Sequence, residues 1–274
     1  MKALLLCVWL LAGQGQDSLR VVFWNLENFF DWRSDSTSVA DAEFSSFGGR
    51  HWTRRRFQAK CEAVAKSLLW AASGPLDGLP DAVGVAEVEN AFVLRHLLQT
   101  TALRKLDYRM IHFDSPDPRG IDVALLYRKS RLQLLDARPC HLYEADGSVM
   151  ATRDILLARF VAPDGEELAF LVNHHPSKYG GTTLSEPRRR VAVDRLRFLA
   201  DSLLALGVRR IVAMGDFNDT PANPVYARLQ PALRPLSDSL YHKGEGSIKY
   251  DGAWELIDLF FASEACRALP VLVL

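Results

Sequence analysis

The sequence predicts an α/β domain made of two sheets packed face to face, with helices outside. Three observations carry that expectation. Short branched apolar runs recur along the chain, each about the length of a buried strand. Two longer segments, one in each half, place apolar residues at helical spacing. No internal repeat, low-complexity tract or linker divides the halves. Strand-rich halves that each carry a long helix bury their apolar faces as stacked layers.

Composition limits the partners. The chain has 274 residues, 49% hydrophobic and 24% charged, enough for a sizeable core. Lys+Arg and Asp+Glu are 33 each, so binding of polyanions by bulk charge is excluded. Any phosphate contact must come from a local patch. Residues 1–16, MKALLLCVWLLAGQGQ, read as a secretory signal peptide: a Lys, an apolar run, then small and polar residues. The run is too short to span a bilayer comfortably, and no other segment resembles a membrane span. A hydrophobic first strand is the competing reading. The signal reading leaves a domain over 17–274, secreted or periplasmic, and expected to be a monomer. Cys61, Cys140 and Cys266 then remain, with no metal-like spacing and room for at most one disulfide.

Leu19 to Trp24 is a strand ending at Asn25. Asp31 to Gly49 is polar and Ser-rich and reads as a long loop, a kind that usually serves function. Thr53 can cap a helix running to about Ala72, with Phe57, Cys61, Val64, Ala65 and Leu68 on one face. Ala82 to Ala86 is a buried strand ending at Glu87. Phe92 to Leu103 reads as a helix. Strands follow at Tyr108 to Phe113, Ile121 to Tyr127, Arg131 to Ala137, Ile155 to Val161 and Leu168 to Val172. Ser185 to Leu206 is a long amphipathic helix with Val191, Leu196, Leu199, Leu203 and Leu204 inward. Leu256 to Ala262 is a last strand, containing Asp258.

The most informative stretch is Ile211 to Asp219, IVAMGDFND. A buried strand ends at Gly215, which lets the backbone turn, and Asp216, Asn218 and Asp219 follow. Hard oxygens at the mouth of a sheet suit Mg²⁺ or Ca²⁺ and a water held for attack. They equally suit an Asx-turn. Polar stations at other strand ends add weight: Asn25, Glu87 and Asn173–His174. Glu87 can hold a cation, Asp216 can orient water, amides can hold phosphate oxygens, and a cationic His can offset transition-state charge. For His112, His141 and His242 the reading is plain surface.

In order along the chain, WNLEN, GVAEVEN, RGIDVALLY, VNHHPSKYGG, GDFND and WELID resemble the motifs of the endonuclease/exonuclease/phosphatase superfamily. The resemblance looks closest to a secreted bacterial branch and covers nearly the whole chain after the leader. It implies a four-layered α/β/β/α sandwich of two mixed sheets flanked by helices. It also implies catalytic roles for Asn25, Glu87, His174, Asp216, Asn218 and Asp258. Glu87 and Asn25 would be the metal side, for Mg²⁺ with Mn²⁺ or Ca²⁺ possible. Arg119, Asp122, Asn173, Lys178 and Arg188 would lie on the substrate side, with a solvated helix face as the competing reading of Arg188. Tyr250 and Trp254 read as packing groups near the site.

The sequence departs from the family at its end. Family members carry a Ser-Asp-His triplet on the last strand, whose His pairs with an earlier Asp, here Asp258. No Asp or His follows Asp258. The expectation is a sandwich lacking its last strand, and hydrolysis that is weak or absent. The leading function is a Mg²⁺-dependent phosphodiester hydrolase of nuclease type, acting on nucleic acid by metal-assisted attack of water. Alternatives are a phosphoesterase for lipid or inositol phosphates, and an inactive phosphate-binding pseudoenzyme. The Arg50 and Arg54 to Arg56 cluster favours a polyanion. Phe44, Phe47 and Trp52 permit base stacking or membrane contact.

Overall fold

The computed structural model describes residues 6–11, 18–34, 38–178, 182–268 and 271–274. In chain order the strands begin with β1 (Leu6–Leu11), β2 (Ser18–Phe29) and β3 (Ala82–Val88). They continue with β4 (Tyr108–His112), β5 (Asp122–Arg128), β6 (Gln133–Cys140), β7 (Ile155–Val161), β8 (Glu167–His174) and β9 (Arg210–Asp216). Short pieces follow: β10 (Arg234–Pro235), β11 (Ile248–Tyr250), β12 (Ala253–Glu255), β13 (Asp258–Ala262), β14 (Arg267–Ala268) and β15 (Leu272–Val273). The helices are α1 (Val39–Glu43), α2 (Arg54–Ser73), α3 (Ala91–Thr100), α4 (Thr182–Ala205) and α5 (Asp238–His242).

Two large mixed sheets form. One is ordered β14-β1-β2-β3-β5-β4, with β15 also on β1, and the other β10-β13-β9-β8-β7-β6. β2–β3 and β8–β9 are the parallel pairs. Alternation along β2 explains the layering. Leu19, Val21 and Phe23 enter the core shared with the second sheet, whereas Val22, Trp24 and Leu26 pack under α2 and α3. Helix α4 covers the outer face of the second sheet through Ala192, Val193, Leu196, Leu199, Ala200 and Leu203. Leu204, expected inward, is exposed because it lies one residue beyond this stripe.

Thr53 caps α2 as expected, its hydroxyl accepting from the Arg56 N–H at 3.4 Å. The loop from Asp31 to Gly49 contains α1, which was not expected; Ser38 caps it at 3.0 Å from the Asp41 N–H. The helix expected through Leu103 ends at Thr100, because extended Thr101 starts a separate 3₁₀ turn over Ala102–Lys105. The expected leader lies outside the described residues at 1–5 and 12–16. Its middle is β1, antiparallel to β2 with Leu10 opposite Leu19. Cys61, Cys140 and Cys266 are buried free thiols.

On the face of β3 toward the second sheet stand Ala82, Gly84 and Ala86. A Cβ on Gly84 would press on Met214 of β9 at 2.9 Å. Small residues here bring the sheets close, and the ends of β3 and β9 lie above that contact.

Candidate active site

The first wall is built by a double irregularity. The β2–β3 ladder breaks between Asn25 and Phe29, and the β3–β5 ladder breaks between Ala86 and Val88. Glu87 therefore has no ladder partner on either side, and its φ is 60°. Glu27 and Asn28 opposite have φ of 53° and 58°. Left-handed non-glycine residues store strain of order 1–3 kcal/mol each and cluster at functional sites. The bulge re-aims Glu87 from the helix side of the sheet to its rim. There its carboxylate accepts from the Asn28 N–H at 2.7 Å, and the Arg119 guanidinium lies 4.0 Å away.

The second wall is the end of β8 and β9. His174 is opposite Asp216 in the parallel ladder, and Asp258 is opposite Asp216 on the other side. The Asp216 carboxylate accepts from the Asn218 N–H at 2.9 Å, and His174 Nε2 lies 3.8 Å from its other oxygen. Gly215 does not make the turn. It lies inside β9, where a Cβ would fall 2.3 Å from the Asn173 carbonyl oxygen, so its need is space. The turn is at Asn218, φ 51°.

One side chain joins the walls. The Asn25 amide Nδ2 donates to Asp216 Oδ2 at 3.0 Å and to Glu87 Oε1 at 3.4 Å. Two carboxylates thus face each other across one amide, in a site where burial is high. Burial, with help from Glu87, raises the Asp216 pKa to about 6 against the pull of Asn25, Asn218 and Arg153. Burial, then Asp216, also pushes Asp258 well above the usual carboxylate range. Burial, then Arg153 and Arg119, holds His174 well below its usual value. The expected cationic His is therefore neutral here.

Residues 20–268 match the endonuclease/exonuclease/phosphatase family. The chain belongs to this family. Solved structures agree on the fold. The human Nocturnin catalytic domain with bound sulfate anion is 18% identical, with a TM-score of 0.60 over 90% of this chain and 83% of that one. A family protein of Bacteroides thetaiotaomicron is 17% identical, TM-score 0.59, covering 90% and 84%. TDP2 of D. rerio complexed with single strand DNA product is 16% identical, TM-score 0.55, covering 90% and 85%. No protein among the curated ones matches this chain in sequence.

Enzymes of the endonuclease/exonuclease/phosphatase family depend on divalent metal ions. The residues at the rim fit such an ion. The donors are hard oxygens, two carboxylates are held close enough to repel, and Asp258 Oδ1 and Asn173 Oδ1 are buried with no hydrogen-bond partner. A second group, His112, Asp114 and Asp122, brings donor atoms within 4.8 Å and could also hold a metal ion. In it Asp122 already accepts from His112 Nε2 at 3.1 Å and from the Ser115 N–H at 2.9 Å.

Several expected site residues take other partners. Asp122 is buried in that network, and His112 is a buried structural histidine rather than a surface one. Lys178 pairs with Asp219 at 3.2 Å. Arg188 donates to the Ala151 carbonyl at 3.0 Å, while its neighbour Arg189 is buried on Asp219 at 3.3 Å. The Asn218 Nδ2 holds the His175 carbonyl at 2.9 Å. His175 packs on Phe217, centroids 4.5 Å apart, and burial drives its pKa down to about 3. His141 is half-exposed on Asp154 and His242 is exposed.

The rim also departs from expectation. Phe44 stacks on Phe30 and edges Trp52, so both are half-buried in ring contacts; Phe47 is 99% exposed. Arg50 pairs with Glu43, and Arg56 donates to the Arg50 carbonyl. Tyr250 and Trp254, expected to pack, are 68% and 45% exposed because the β11–β12 hairpin pairs with no further strand among the described residues. Residues the sequence reading missed are Asn28, Lys60, Arg153 and Arg189. The one local signal was the TRD triplet of Arg153 just before β7.

Proposed function

We propose that the chain is a Mg²⁺-dependent phosphodiester hydrolase of nuclease type. The observation that carries this reading is the Asn25 amide touching both Glu87 and Asp216. Glu87 and Asn25 would hold the ion, which when bound supplies Lewis-acid polarisation of a phosphoryl oxygen. Asp216 is buried, has a raised pKa and accepts from the Asn25 amide beside Glu87; it orients the attacking water and takes its proton. Neutral His174 donates one ring N–H to a phosphoryl oxygen without the desolvation penalty of a buried cation. Arg119, bonded to the Asn28 side chain at 3.0 Å and 47% exposed, is placed to meet the substrate's charge. Exposed Phe47 offers a face on which a base of a nucleic-acid substrate would stack.

The leader pattern makes export part of the same proposal, and N-terminal sequencing of the secreted protein reads it. The enzymatic test uses bis-(p-nitrophenyl) phosphate and a single-stranded oligonucleotide with Mg²⁺. Hydrolysis should require the ion and vanish in Glu87→Gln. Equal turnover in Glu87→Gln, or turnover with chelator present, would sink the reading.

A further inference from the structure

Lys60 lies on α2, on the outer side of the first sheet, yet its ammonium reaches the bulge that carries the site. Its Nζ donates to the Glu27 carbonyl at 2.7 Å and to the Asn28 carbonyl at 3.5 Å. It sits over the rings of Trp52 and Phe29, 5.6 and 5.7 Å from their centroids. The two carbonyls belong to the consecutive left-handed residues described above, whose φ is 53° and 58°. Such a pair does not persist without outside support. An ammonium has three donors and can hold both carbonyls at once.

What the pair carries is specific. The N–H of Asn28 holds Glu87 Oε2 at 2.7 Å, and the Asn28 side chain holds Arg119 Nη2 at 3.0 Å. A relay therefore runs from Lys60 through the Glu27–Asn28 backbone to the Glu87 carboxylate. We propose that Lys60 is a positioning residue that clamps the Glu27–Asn28 bulge so that the Asn28 N–H aims Glu87 at the divalent ion. The inference rests on the metal reading of Glu87, and it assigns no proton transfer to Lys60. An apolar residue of equal length would fill the same space over Trp52 and Phe29 and leave both carbonyls unheld. Arg could still donate to one of them.

The test separates the clamp from the ion. Amide hydrogen exchange by NMR on the full chain reads the Asn28 N–H directly, with no metal present. Calorimetric titration with Mg²⁺, without substrate, reads the consequence. In Lys60→Met, Asn28 exchange should quicken at least about tenfold and Mg²⁺ affinity should fall about 10–100-fold, the usual effect of losing a residue that orients a ligand. Lys60→Arg should restore part of both. Unchanged Asn28 exchange in Lys60→Met overturns the clamp. Faster exchange with unchanged Mg²⁺ affinity overturns the link to Glu87. If the unaltered protein binds no Mg²⁺ while exchange still responds, the metal reading fails and the clamp stands.

Discussion

The guanidinium of Arg153 and the carboxylate of Asp117 form a buried ion pair, Nη1 to Oδ2 at 2.8 Å. Asp117 belongs to the β4–β5 loop of the first sheet, and Arg153 immediately precedes β7 of the second. The other terminal nitrogen of Arg153, Nη2, donates to the His175 carbonyl at 2.6 Å. One side chain therefore ties the two rims together and fixes the turn after His174. Removing one partner of a buried pair strands the other charge, so Arg153→Met should cost about 3–5 kcal/mol in urea unfolding. Adding Asp117→Asn should recover much of that loss, because the stranded charge is gone. Arg153 also opposes protonation of His174, after burial itself. An NMR titration of Arg153→Met should show His174 moving up toward its ordinary value.

Asp216 links metal binding to pH. Its pKa is raised to about 6, so below that value the metal-free site carries a proton that a cation must displace. Mg²⁺ affinity should be flat above about pH 7 and fall about tenfold per unit below about pH 6. Calorimetry at several pH values checks this. Asp216→Asn should remove the dependence in that range. A profile that is unchanged by the substitution would place the titrating group elsewhere.

The parts of the site readable in the sequence are those that depend on local order. Asn25, Glu87 and Asp216 each close an apolar run, which marks them as polar stations; only Asp216 ends its strand, because β2 continues past Asn25 to Phe29 and β3 past Glu87 to Val88. How Glu87 reaches the rim was not readable, because the bulge that turns it uses left-handed backbone at Glu27, Asn28 and Glu87, none of them glycine. Arg188 and Arg189 show a second limit. Neighbours on a helix differ by about 100° in direction, and which one is buried depends on where Asp219 stands. Lys60 and Arg153 act through carbonyls and carboxylates distant in sequence. No spacing rule reports such partners.

Gly215 gives a prediction that follows from space rather than from turning. An added Cβ would meet the backbone oxygen and the Cβ of Asn173, at 2.3 and 2.7 Å, and a neighbouring strand cannot move aside cheaply. Gly215→Ala should destabilise by about 1–3 kcal/mol or more in thermal or urea unfolding. It should also weaken hydrolysis by displacing Asn173 and His174. Gly49→Ala is the control, since nothing lies within 4 Å of its added Cβ and the change should be nearly neutral. Equal effects at the two positions would show that the sheet is looser at β8–β9 than the contact implies.

Asp258 is a buried carboxylate with one oxygen left unpaired. Its Oδ1 is buried without a hydrogen-bond partner, and among the described residues no histidine pairs with it. Burial first, then the charge of Asp216, raises its pKa above the ordinary 3.8. The sign follows from linkage. Below pH 3.8 folded and unfolded chains are both protonated there, and the group contributes nothing. As pH rises past that value the unfolded chain ionises while the folded one resists, so stability is lost. Asp258→Asn should therefore stabilise the metal-free protein at pH 7 by about 1 kcal/mol or more, with the gain shrinking toward pH 4. Turnover should fall less than about tenfold, whereas a working carboxylate–imidazole pair contributes about 10²–10⁴-fold. Thermal melts across pH and steady-state hydrolysis measure both halves. A hundredfold loss of turnover in Asp258→Asn would mean that the carboxylate acts in catalysis without an imidazole partner.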